Sequence, residues 1–404
     1  MGSWAFDEYD RAVPNGPGAL DYDPHHPSVE GLRARARRRI PRFAFEYLDG
    51  GCNEDVNLAR NTAELREVRL EPRYLGPHGG ADLRTELFGQ VWDAPFGVAP
   101  IGLQGMVWPR APEILAAAAR EHGLPFVLST VSTASLETIA EISEGRAWYQ
   151  LYHPTEARVR DDLLDRAAAA GYPVLAVLCD VPSFGWRPRE IRNGLALPPR
   201  MTLRNVLQMI GRPAWALRSL AAGAPAFETL APYMPAGMSL RHLGLFMDAT
   251  FSGRLDAERI APIRDRWKGK LVLKGVASEA DAEEALALGF DGLWVSNHGG
   301  RQLDAGESSI RALDRIAARF GERTTLMVDG GIRSGPDVAR ALACGAHFAF
   351  LGRAFMYGVA ALGARGGGHT AAILKAQLRQ VLEQVGCERP GELPTRRLAP
   401  GARA

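Results

Sequence analysis

Eight short apolar runs, spread over residues 96–353, limit what this chain can fold into more than any other feature. They are 96–100 (FGVAP), 125–130 (PFVLST), 147–152 (AWYQLY), 173–180 (PVLAVLCD), 270–275 (KLVLKG), 291–297 (DGLWVSN), 325–331 (TLMVDGG) and 347–353 (HFAFLGR). A short apolar run bounded by turn formers reads as a buried strand. Most are separated by stretches such as ASEADAEEALALG and GPDVARALACG, where Ala, Leu and Glu recur at helical spacing. Eight strands alternating with helices call for a (β/α)8 TIM barrel. A doubly wound sheet is the competitor, but no GxGxxG follows the first run. The expected domain is a single barrel over 28–398, with an N-terminal helical segment and a C-terminal helix over 369–386 against its outside. The 44 glycines suit its many tight turns.

Composition narrows the rest. A net charge of +2 gives no argument for nucleic acid binding. Four scattered cysteines, Cys52, Cys179, Cys344 and Cys387, lack metal-ligand spacing and read as free thiols in a reducing compartment. The acidic N-terminus has no apolar signal core, and no apolar run approaches the roughly 20 residues that span a bilayer. A cytoplasmic location is expected. Residues 1–27 read as a loosely ordered tail or an arm for a neighbouring subunit, and 399–404 as a C-terminal tail. Ser28 is placed to cap a helix through GLRARARRRI, whose arginines form a solvated face.

In a parallel barrel, ligands bind at the carboxyl ends of the strands. The chain delivers polar or backbone-rich positions there in order. They are Pro100-Ile101-Gly102, Ser129, Gln150 and Tyr152, Asp180, Lys274, Ser296 with His298 and Arg301, Asp329 with Gly331 and Arg333, and Gly352 with Arg353. Any one alone is commonplace, but a full set is not surface decoration. DGGIRSGPD and LGR, after the last two strands, combine glycines with two guanidinium groups and match the usual barrel phosphate site. His298 beside Arg301 pairs a proton acceptor with a fixed cation, which suits removing a proton from an anionic substrate.

The nonapeptide SNHGGRQLD, 296–304, resembles the active-site signature of the FMN-dependent α-hydroxy acid oxidases and dehydrogenases, the family of glycolate oxidase, flavocytochrome lactate dehydrogenase and mandelate dehydrogenase. The likeness runs from about Ser28 to Leu398. It implies FMN as cofactor, its phosphate near Arg333 and Arg353, its ring edge beside Lys274, and its pyrimidine end near Gln150 and Ser129. It also implies oxidation of an L-2-hydroxy acid to the 2-oxo acid. His298 would be the base, Asp180 its orienting partner, and Arg301 and Arg187 the carboxylate clamp, with Tyr47 and Tyr152 adding hydroxyl contacts. Hydride transfer and removal of the Cα proton use the same residues and stay open. A homotetramer is a further implication.

One connection is abnormally long, 181–269, and such loops are usually functional or disordered. Within 200–241 it carries Arg200, Arg204, Arg212, Arg218 and Arg241 against one acid, Glu228, interleaved with apolar residues. That pattern describes a segment lying in a membrane headgroup layer on the inner face of the cell membrane. A lid over the active site or a subunit contact, within 196–250, is slightly favoured by the residues alone. The resemblance narrows the gap. Against the family, Leu178 replaces a polar residue that commonly touches the flavin, and Pro188-Arg189-Glu190 departs from an acidic-x-acidic pattern. Gly102, often alanine in oxidases, and Val131 imply room for a bulky substrate and a quinone or cytochrome acceptor. An oxygen-using oxidase, a non-redox FMN barrel and a flavin-binding scaffold are the alternatives.

Overall fold

A computed structural model describes residues 22–195, 201–235, 246, 249–251 and 253–399. A hairpin comes first, β1 (Thr85–Leu87) paired antiparallel with β2 (Gln90–Trp92). Eight parallel strands follow: β3 (Phe96–Val98), β4 (Val127–Ser129), β5 (Trp148–Leu151), β6 (Val174–Leu178), β7 (Lys270–Val276), β8 (Gly292–Val295), β9 (Thr325–Val328) and β10 (Phe348–Leu351). Their order is β3-β10-β9-β8-β7-β6-β5-β4. A parallel bridge between Val98 and Phe126 brings the two ends of that sheet together. The result is the expected (β/α)8 barrel, one strand from each apolar run.

Successive strand residues face opposite sides, and this divides the core. Phe348 and Phe350 join Trp148, Trp294 and Met327 in the cluster that fills the barrel. Ala349 and Leu351, between and beyond them, belong instead to the cluster packed under the helices. Trp294 and Phe350 stack at 4.0 Å between ring centroids, and Lys274 Nζ lies 5.0 Å from the Trp294 ring. The hairpin was not expected, because three-residue strands leave no readable period. Its Leu87 and Trp92 complete the interior cluster, and Phe88 packs 5.7 Å from Trp148.

The N-terminal segment supplies helices Val29–Arg39 and Arg42–Asp49. Ser28 caps the first, its Oγ accepting from the Gly31 N–H at 3.1 Å. The C-terminal helix begins three residues earlier than expected, at Gly366, and runs to Val385. The loose-tail reading of 1–27 needs correction over 22–27. The Asp23 N–H donates to His369 Nδ1 at 3.1 Å, and the His26 carbonyl lies 2.8 Å from His369 Nε2. Tyr22 adds an edge contact to the same ring. Residues 1–21 and 400–404 lie outside the described residues.

The long connection holds helices Pro188–Arg192, Leu203–Ile210, Pro213–Ala222 and Ala257–Arg266. Trp215 is buried, its indole N–H donating to the Val107 carbonyl at 3.0 Å, whereas Leu203, Leu207, Ile210, Leu217 and Leu220 are exposed. Arg200 and Arg241 lie outside the described residues. Among the described residues, no helix is long and apolar enough to cross a membrane, and all four cysteines are free.

Candidate active site

A cavity of about 1070 Å3 opens at the carboxyl ends of the strands. Its wall contains Tyr47, Pro100, Ile101, Gly102, Ser129, Gln150, Tyr152, Arg187, Lys274, His298, Arg301, Asp329, Gly331, Arg333, Gly352 and Arg353, sixteen of the eighteen residues singled out in the sequence. The other two stand directly behind it. Asp180 contacts His298, and Ser296 Oγ bonds to Lys274, Asp329 and the His298 N–H. Met201, Asn205, Met209, Trp215 and Ala216 of the long connection also face the cavity.

His298 adopts a left-handed backbone conformation, φ 56°, uncommon for a residue with a side chain and often found at functional sites. The turn brings its Nδ1 to 3.0 Å from Asp180 Oδ1. A carboxylate at Nδ1 favours the tautomer protonated there, leaving Nε2 to accept a proton. Burial lowers the imidazole's pKa, and the neighbouring Lys274 and Arg187 add to this; Asp180 opposes it without reversing it. For Asp180, burial raises the carboxyl pKa but His298 and Lys274 outweigh it, so the group stays ionised.

Two guanidinium groups share this end of the cavity. Arg301 donates from Nη1 to the Tyr47 and Gly50 carbonyls at 2.7 and 3.0 Å, and from Nη2 to Glu190 at 2.7 Å. Arg187 lies 3.6 Å from the other Glu190 oxygen and donates to Gln302 at 3.1 Å. Burial and the charge of Arg301 push Arg187's pKa down. Burial also acts against the charged form of Arg301, but Glu190 and Tyr47 prevail and its pKa is raised. Tyr47 donates to the Gly102 carbonyl at 3.2 Å. Burial raises the pKa of Tyr47 and Tyr152, so both phenols keep their protons.

A second set of residues adjoins these, with Arg353 donating to the same Gly50 carbonyl as Arg301. Lys274 is 2.9 Å from Asp329 and is held charged against burial by that carboxylate and Asp180. Gln150 is buried with its Nε2 unpartnered. Arg353 donates to the carbonyls of Leu48, Gly299 and Gly50 at 2.8–2.9 Å. Neither it nor Arg333 forms an ion pair among the described residues, and burial with the charge of Arg333 pushes the Arg353 pKa down to about 9.

The family model described as FMN-dependent dehydrogenase matches residues 36–400. The chain belongs to that family. An L-lactate dehydrogenase of Caulobacter sp. (strain K31) is 39% identical over 360 residues, covering 89% of this chain and 94% of its own. One of Bartonella tribocorum is 37% identical over 370 residues, covering 89% and 96%. Among solved structures, the monotopic membrane protein (S)-mandelate dehydrogenase superposes with a TM-score of 0.87 at 33% identity, covering 92% of this chain and 98% of that one. Mandelate oxidase gives 0.77 at 31%, covering 91% and 96%.

As an FMN-dependent dehydrogenase, the chain is an oxidoreductase acting on CH–OH groups, and its cavity fits the cofactor. Arg333 and Arg353, neither in an ion pair among the described residues, line the cavity with Gly352, which precedes helix Arg353–Leu362, a setting that favours phosphate. The buried Gln150 Nε2 lacks an acceptor, which a flat heterocycle with carbonyl groups would supply.

Two features were missed or misjudged in the sequence. Glu190 and Gln302 are central contacts of the guanidinium pair, yet only a departure from pattern marked Glu190, and Gln302 was given no role although it lies within SNHGGRQLD. Gly102 does not open free space: a methyl there would sit 2.8 Å from Val131 Cγ2.

Proposed function

We propose that this FMN-dependent dehydrogenase oxidises an L-2-hydroxy acid to the 2-oxo acid, with His298 as general base. The observation that carries this reading is the His298–Asp180 pair at 3.0 Å, in the same cavity as Arg187, Arg301 and two protonated tyrosines. Arg187 and Arg301 hold the substrate carboxylate, for which planar guanidinium groups are suited. Tyr47 and Tyr152 donate to substrate oxygens. His298 Nε2 takes the proton released on oxidation, and Asp180 stabilises the imidazolium that forms. FMN, when bound, accepts the two electrons of the alcohol oxidation. Lys274, Gln150, Ser129, Ser296, Asp329, Arg333 and Arg353 would hold it, with the backbone of Pro100-Ile101-Gly102, Gly331 and Gly352. Lys274 places positive charge where reduction adds negative charge.

A quinone or cytochrome is the proposed acceptor, and it rests on the family resemblance alone. The long connection acts as both lid and membrane contact. Its Met209 and Trp215 face the cavity, and its exposed leucines lie among Arg204, Arg212 and Arg218, a composition suited to a headgroup layer. That the neighbouring (S)-mandelate dehydrogenase is a monotopic membrane protein supports a peripheral membrane position; the inner face is the proposed side. A homotetramer rests on family resemblance.

Anaerobic mixing with a panel of L-2-hydroxy acids of increasing bulk tests the reaction. Bleaching of the flavin absorbance is expected; a yellow protein that none of them reduces would overturn it. Stoichiometric hydrogen peroxide during aerobic turnover would instead assign an oxidase. Deleting 201–235 should abolish liposome binding if this segment is the membrane contact.

A further inference from the structure

Gln302 directs all the hydrogen-bonding capacity of its amide at one loop. Its Nε2 donates to the carbonyls of Asp180 at 3.1 Å and Ser183 at 2.9 Å. Its Oε1 accepts from the Gly185 N–H at 3.3 Å and from Arg187 Nη2 at 3.1 Å. Two donors and two acceptor sites are thereby used, which is the full complement of a carboxamide. The loop between these contacts, 181–187, has no helix or strand of its own. It begins beside the partner of His298 and ends at a guanidinium of the carboxylate clamp.

The two segments approach at backbone distance. A methyl added at Gly185 would sit 2.3 Å from the Arg301 carbonyl oxygen, so glycine is required for Gln302 to reach across. The Trp186 carbonyl is held separately, accepting from the Asn53 N–H at 2.8 Å. The Pro182 carbonyl also accepts from the Gly253 N–H at 3.2 Å, and Arg187 Nε donates to the Arg301 carbonyl at 3.5 Å, but the Gln302 side chain, behind the cavity wall, contacts both ends of the loop.

We infer that Gln302 is a positioning residue that locks the placement of Asp180, and through it His298, to that of Arg187. This rests on the 2-hydroxy acid reading above. Base and carboxylate clamp must meet one substrate at once, and a misplacement of about 1 Å is enough to cost a large part of the rate. One amide holding both ends of the loop makes the two placements move together.

The test uses the FMN-loaded enzyme with Gln302→Met and Gln302→Glu. Gln302→Met removes all four bonds. It should lower kcat about tenfold and raise KM for the best L-2-hydroxy acid about tenfold, while flavin content holds and circular dichroism at assay temperature stays that of a folded protein. Gln302→Glu keeps acceptor oxygens for Gly185 and Arg187 but loses the donors to Asp180 and Ser183. It should therefore lower kcat, while its negative charge beside Arg187, which competes with the substrate carboxylate, should raise KM at low salt and less at high salt. Hydrogen–deuterium exchange at residues 181–187 should quicken in Gln302→Met without any substrate present. Parental kinetics in Gln302→Met, or a parental kcat in Gln302→Glu, would overturn the inference. So would unchanged exchange in Gln302→Met. Failure of every hydroxy acid to reduce the parent enzyme would refute the proposed reaction, leaving the exchange measurement to judge the tether on its own.

Discussion

Glu190 Oε1 accepts a hydrogen bond from Arg301 Nη2 at 2.7 Å. An anion of the protein itself thus already occupies part of the guanidinium group assigned to the substrate carboxylate. Its other oxygen faces Arg187 at 3.6 Å, so one carboxylate both holds two like charges together and competes with an incoming one. Glu190→Gln should bind oxalate about tenfold more tightly at low salt, because a nearby negative charge is removed. It should also turn over more slowly, because the cations are less well fixed. Oxalate titration of the flavin spectrum checks this; weaker binding would mean that orientation outweighs charge.

His298→Gln should retain FMN and lose flavin reduction by about 10²–10⁴-fold, the usual contribution of a general base. Stopped-flow reduction under anaerobic conditions measures it. Reduction at the parental rate would remove His298 from the reaction.

The pH profile carries a sign. The base must be neutral, so activity falls as pH drops through the His298 pKa. Burial holds that pKa below the ordinary histidine value of about 6.5 despite Asp180. The acidic limb of kcat/KM should therefore lie below that value. Asp180→Asn removes the group that raises the pKa, while Lys274 and Arg187 remain to lower it. The limb should move to still lower pH and the plateau should fall, since the imidazolium loses its counter-charge. A limb that moves upward would contradict the assignment.

Lys274 and Asp329 form a buried ion pair at 2.9 Å, with side chains 5% and 10% exposed. Lys274→Met leaves a carboxylate unpaired and should cost about 3–5 kcal/mol of stability. The double variant with Asp329→Asn should recover part of that loss, as expected of coupled neighbours. Urea denaturation of the FMN-free protein separates this from any change in cofactor affinity.

Gly102→Ala tests the crowding at Val131. The added methyl meets Val131 Cγ2 at 2.8 Å, so the substitution should destabilise by about 1–3 kcal/mol. Combining it with Val131→Ala should restore stability. Thermal melts of the four proteins close this cycle; a stable single variant would show that Val131 yields without cost.

Much of this protein is decided along the chain. The eight apolar runs dictate the barrel because burial of a parallel sheet on both faces demands them, and residues at their ends face one side of it. SNHGGRQLD places His298 and Arg301 by local backbone geometry, and Ser28 caps its helix through neighbours three residues away. Those relations are short in sequence and survive being read one stretch at a time. The 85–92 hairpin escaped because its strands are too short to show a period, and 22–27 escaped because its partner, His369, is more than three hundred residues distant.

What tertiary structure decided is who shares a charge with whom. Glu190 between two guanidinium groups, Gln302 across the loop from Asp180 to Arg187, and Val131 against Gly102 all join segments separated along the chain. Ion pairs and hydrogen bonds depend on distances of a few ångströms, whereas sequence records only order. Which donors of Arg301 remain open to a ligand therefore follows from packing, although the identity of Arg301 as a cation at the strand ends does not.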